Sequence, residues 1–91
     1  MIERAGTVLR VSGPITMGSA PGVRDQGLAL LTDDISEIDL GAVTEVDSSA
    51  IAVLLAWRRQ AGRAIVLVGI PSALASLAAL YRLDPLLDEA D

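Results

Sequence analysis

The chain has 91 residues, enough for one small domain with a modest core. Its net charge is −5, with seven arginines and no lysine, so it lacks the basic surface on which nucleic-acid affinity depends. Histidine and cysteine are both absent, which excludes disulfides and thiolate metal sites and removes the usual general base, metal ligand and triad partner.

Apolar residues make up 52% of the chain, a high share for so small a domain, and part of that surface is expected to be covered by a partner. The N-terminal stretch MIERAGTVLR holds no long apolar signal region. The apolar runs AIAVLLAW and AIVLVGI reach only about half of a bilayer span. The expectation is a cytosolic protein, soluble or docked on a membrane-embedded partner, with no direct membrane insertion.

Thr7 to Ser12 (TVLRVS) alternates as a strand and stops at Gly13-Pro14. ITMGSAPG reads as a loop or short extended piece. Pro21 suits a first helical turn with Ser19 as its cap. A helix to about Leu31 follows from Val23, Leu28 and Leu31, although Gly22 and Gly27 weaken it. Glu37 to Leu40 predicts a second strand, ended by Gly41.

From about Ser49 to Ala61 the spacing predicts a helix, with Gly62 as its C′ residue. Ala64 to Gly69 is a nearly continuous apolar run, as expected of a central strand buried on both faces. A last helix runs from Pro71-Ser72 to about Tyr81, whose ring is expected in the core. The tail LDPLLDEAD suggests a turn around Pro85. The alternation of strand and helix predicts an α/β layer, helices packed on a mostly parallel sheet. There is no internal repeat or linker.

The central helix is the unusual element. It is apolar nearly all round for two turns, whereas a surface helix keeps a polar face. Close packing against the sheet explains one side. The other side reads as a docking surface built on Ser48, Ser49, Ala52 and Ala56, with Trp57 and Arg59 as further candidates. Each has a plainer role available. Ser48, Ser49 or Asp47 can cap the helix, Trp57 can fill the core, and Arg58, Arg59 and Arg63 can be a solvated helix end. The acidic pairs are thinly spread, and GSAPG lacks the lysine of a phosphate-binding loop. No catalytic residue, cofactor site or metal site is expected, and so no enzyme.

A strand ending in DL, followed by V-x-x-V-D-S-S-A-I-A-V-L-L, resembles the signature of STAS domains. These are small α/β domains found in anti-sigma factor antagonists and sulfate transporters. GTVLRVSGPIT is similar to the family's first strand and turn, so the resemblance covers most of the chain. It implies the SpoIIAA-like fold, a mostly parallel sheet of about four strands with helices against it, filling residues 1–91. AVLLAWRRQA and LAALYRLDPLL resemble MlaB-type members, the cytoplasmic STAS subunits of a phospholipid ABC transporter.

That branch implies a non-enzymatic subunit that binds an MlaF-like ATPase, in a complex with permease and substrate-binding subunits. The complex maintains outer-membrane lipid asymmetry, and the chain would lie peripheral to the inner membrane. The other branch, the anti-sigma factor antagonists, implies Ser48 as a phosphorylation site. Two residues depart from that pattern. Thr16 stands in GPIT where many members carry an acid, and Ala50 replaces the usual glycine after the serines. The apolar helix also leaves a homodimer of the isolated chain open.

Overall fold

A computed structural model describes residues 1–63 and 65–82. The elements run β1 (Ile2–Ala5), β2 (Val8–Ile15), α1 (Ala20–Leu30), β3 (Glu37–Val46), α2 (Ser48–Ala61), β4 (Val66–Val68) and α3 (Ser72–Leu80). The four strands form one sheet in the order β1-β2-β3-β4. β1 pairs antiparallel with β2, and the β2–β3 and β3–β4 pairs are parallel. The α/β layer expected from the alternation is present.

β1 adds to the three strands expected from the sequence. Ile2, Glu3, Arg4 and Ala5 show no clear alternation; they are a strand because the chain folds straight back on itself. Ala5 pairs with Val8 across a two-residue turn, with Gly6 at φ 63° in its first position. Such a turn favours glycine there, because φ is positive. The main chain of Met1 then binds Ser12, its ammonium donating to the Ser12 carbonyl at 2.7 Å.

β3 is also longer than expected. Gly41 does not end it, since the Asp39 carboxylate accepts the Gly41 amide at 2.8 Å and carries the chain through an irregularity to Val46. The apolar run after Gly62 corresponds to an edge strand, not a central one. β4 has a neighbour on one side only, and Val66 is 42% exposed. Ala64, where that strand was expected to start, and the turn around Pro85 lie outside the described residues.

Leu9, Val11 and Ile15 from β2, Ile38, Leu40 and Val43 from β3, and Leu67 from β4 bury one face of the sheet. Ala50, Ile51, Val53, Leu54 and Trp57 of α2, with Val23 of α1 and Leu74 of α3, complete the core. Each large aliphatic side chain so buried contributes about 1.5–3 kcal/mol. Trp57 is 1% exposed, and its indole N–H donates to the Arg24 carbonyl on α1 at 3.1 Å. The ring lies against Gly27, where an added Cβ would overlap it. Gly27, which weakened the helix reading, is what lets α1 approach α2.

Arg63 belongs to the fold and not to a free basic cluster. Its guanidinium donates to the carbonyls of Asp33 at 3.0 Å and Ile35 at 2.7 Å, holding the α1–β3 loop to the end of α2. Gly62 has φ 67°, and its amide reaches the Arg58 carbonyl, the left-handed helix end expected there.

Candidate functional site

The parallel strands β2 and β3 end side by side, and their loops meet where α2 begins. The Asp47 amide donates to the Ile15 carbonyl at 3.3 Å, which joins the two strand ends. In an α/β sheet this carboxyl end is where binding sites usually form.

Asp47, not a serine, caps α2. Its carboxylate accepts the Ser49 amide at 2.8 Å and the Ser49 hydroxyl through one oxygen, and the Met17 amide at 2.9 Å through the other. These bonds, the Ser49 side chain first and then the Met17 and Ser49 amides, hold its pKa below the usual carboxylate range. One side chain therefore starts the helix and fixes the loop after β2. At α1 the cap position falls to Ser19 as expected, but its hydroxyl donates to the Pro14 carbonyl at 2.8 Å instead of capping the helix.

The two serines thus differ. Ser49 is half-buried and spends its hydroxyl on Asp47. Ser48 is exposed, and its hydroxyl has no hydrogen-bond partner among the described residues. At about 100° per residue, Ser48, Ala52, Leu55 and Arg59 follow one another along the outward face of α2. Ser48, Ile51, Ala52 and Leu55 line a shallow, open groove of about 530 Å³, with Tyr81 from the end of α3. Tyr81 is 56% exposed, so its ring is not in the core as expected from the sequence.

Ser48 and Ala52 lie in this groove, and exposed Arg59 continues its face by one turn. Ala56 is half-buried beside it. Trp57 faces the opposite way, into the core, and cannot anchor a partner. Its large ring fills the space between α1 and α2, which burial alone decides. Leu55 and Tyr81, which also line the groove, were not among the expected site residues. Met17 is 81% exposed in the loop held by Asp47, one residue beyond the GPIT turn.

Among the described residues no group of three or more carboxylates lies together as a metal site would need, and no helix is long and apolar enough to cross a membrane.

Among curated proteins none matches the chain. Solved structures do, in 14 chains. One is the anti-sigma factor antagonist SpoIIAA in its unphosphorylated form, at a TM-score of 0.70 and 15% sequence identity, covering 100% of this chain and 87% of that one. At such identity the likeness establishes the SpoIIAA-like fold. The family model described as "Mlab, STAS domain" matches residues 2–88. With nearly the whole chain covered by that match, the protein belongs to the STAS domain family and to its MlaB type.

Proposed function

We propose that this chain is a non-enzymatic STAS subunit of a phospholipid-trafficking ABC transporter, docking through the outward face of α2 on the ATPase subunit. The observation that carries this reading is the make-up of that face. Ser48, Ala52 and Leu55 are small or apolar, lie beside exposed Tyr81, and leave the helix backbone open to close approach. A face of this kind suits a partner surface better than it suits water. The MlaB-type family match supports choosing an ABC transporter ATPase as that partner.

In this reading the chain is cytoplasmic and peripheral to the inner membrane through the transporter. Its contribution to lipid asymmetry is indirect. Binding stabilises whichever ATPase conformation it contacts better, and it shifts that equilibrium only by the difference in affinity.

The test is an affinity pull-down of tagged protein from its native cells, with proteins identified by mass spectrometry. Recovery of an ABC ATPase with its permease, lost on Ala52→Arg and on Ser48→Glu, supports the reading. Recovery of a serine kinase, with phosphate on Ser48, overturns it.

That second outcome corresponds to an anti-sigma factor antagonist, which the fold likeness and the exposed Ser48 hydroxyl favour. Phosphate there adds about −1.5 to −2 charges. The helix N-terminus accepts such charge, whereas a close-fitting partner surface is pushed off.

A further inference from the structure

The chain carries seven arginines against a net charge of −5, and the arginines fall into two groups. Arg4, Arg10 and Arg24 each face a carboxylate, those of Asp34, Asp39 and Asp25. Arg63 is spent on backbone carbonyls of the α1–β3 loop. Arg58, Arg59 and Arg82 are exposed, and among the described residues their side chains make no ion pair or hydrogen bond. These three share a place. Arg58 and Arg59 stand three and four residues after Leu55, so both are its neighbours one turn further along α2. Arg82 follows Tyr81, which walls the groove from the end of α3. At the opposite end of the groove the Asp47 carboxylate is taken up by Ser49 and the Met17 amide. The apolar floor at Ala52 and Leu55 thus ends in unpaired cations on an acidic protein.

We propose that the partner segment seated on this groove is acidic, laying an apolar side chain over Ala52 and Leu55 and setting carboxylates against Arg58 and Arg59. The α2 dipole favours cations in its last turn, which keeps the two guanidinium groups at this end with their donors free. A guanidinium takes a carboxylate through two parallel hydrogen bonds. A basic segment is repelled here, and a purely apolar one strips water from the arginines without pairing them. Opposite charges across such a contact speed encounter and reject wrong partners, an effect that salt weakens. The proposal rests on the reading of this face as a docking surface, but not on the identity of the partner.

The chain has no cysteine, so Ser48→Cys and Gln60→Cys each place a single thiol near one end of the groove and leave its floor free. Each full-length variant is labelled with benzophenone maleimide, mixed with extract of its native cells and irradiated. The cross-linked peptides are then sequenced by mass spectrometry. Both positions should link to one protein. The segment linked from position 60 should carry Asp or Glu within about four residues, roughly 13 Å of extended chain. Adding Arg59→Glu should lower the yield about tenfold at low salt. Arg24→Glu, the same change of charge placed on α1, should leave it within about twofold. Raising the salt concentration should narrow the difference.

A linked segment without carboxylates, or a yield indifferent to Arg59→Glu, would overturn the proposal. If that segment comes from an ABC ATPase, the reading of the partner stands and this proposal alone falls. A link confined to this chain, or none from either position, overturns it as well. An acidic segment that belongs to some other protein supports the proposal and removes the ATPase as the partner.

Discussion

Helix α2 has two faces made of nearly the same apolar residue types, and they have opposite fates. One face, Ala50, Ile51, Val53, Leu54 and Trp57, is sealed against the sheet and α1. The other, Ser48, Ala52 and Leu55 with Arg59 beyond, looks outward beside Tyr81. Hydrophobicity alone does not separate the two. Size separates most of them: Ile51, Val53, Leu54 and Trp57 point inward and Ser48 and Ala52 point out, while Ala50 is buried and Leu55 is half-buried on the outer side. Substitutions on the inner face should therefore change stability, and those on the outer face should change association with little effect on stability.

The largest effect is expected at Trp57. Trp57→Ala should cost about 3–5 kcal/mol through the cavity it leaves. For a domain of this size that lowers Tm by at least about 10 °C, to be read by thermal unfolding. The glycines of α1 sharpen the point. A Cβ at Gly27 overlaps the indole, which burial and the bond to Arg24 hold in place, whereas a Cβ at Gly22 meets nothing within 4 Å. Gly27→Ala should thus destabilise by about 1–2 kcal/mol despite its better helix propensity. Gly22→Ala should stabilise by up to about 1 kcal/mol. If both changes moved Tm the same way, the close packing of α1 on the Trp57 ring would be wrong.

The junction between the faces, where α2 begins, comes next. Ser49→Ala removes a hydroxyl bond to a carboxylate and should cost about 0.5–1.5 kcal/mol near neutral pH. The cost should depend on pH. The Asp47 pKa is lowered in the folded protein, chiefly by Ser49, so its contribution is fully present above the usual carboxylate range. It is lost as pH falls through the folded-state pKa, because the unfolded chain takes up the proton first. Urea unfolding of wild type and Ser49→Ala should therefore give stabilities that converge on acidification. A gap that stays constant down to pH 2 would place the Ser49 contribution elsewhere.

Much of this was legible in the sequence. The alternating order of elements, the limits of α2 and its Gly62 end are local patterns, and periodicity and capping chemistry reveal them. What stayed hidden depends on distant partners. β1 exists because β2 lies beside it, and no pattern in IERA announces this. AIVLVGI reads as a doubly buried strand because its residues are apolar, but hydropathy carries no sheet order, and β4 is an edge. Tyr81, expected in the core, is exposed, and of the two roles open to Trp57 the core one holds, for the same reason. Either ring fits a core or a surface, and only the approach of α1 at Gly27 decides for Trp57. Of the site, Ser48 was legible from the DSSA motif and Ala52 from its helical row below the serines, while the tie between the Met17 loop and the start of α2 rests on the bond of the Met17 amide to Asp47, 30 residues away.

The smallest effects on stability are expected on the outer face, and there the two faces can be told apart most sharply. Ala52 is exposed, and arginine forms helix almost as well as alanine, so Ala52→Arg should change unfolding free energy by no more than about 0.5 kcal/mol. Ser48→Ala should be equally quiet, because the cap is made by Asp47 and Ser49 without it. The same Ala52→Arg change puts a long charged side chain into the groove and should abolish capture of the partner. Tm and pull-down measured on one protein preparation separate the possibilities. An unchanged Tm with lost capture means that the outer face serves association. A lowered Tm would mean that this face is packed within the folded chain, and that its small residues serve the fold as those of the inner face do.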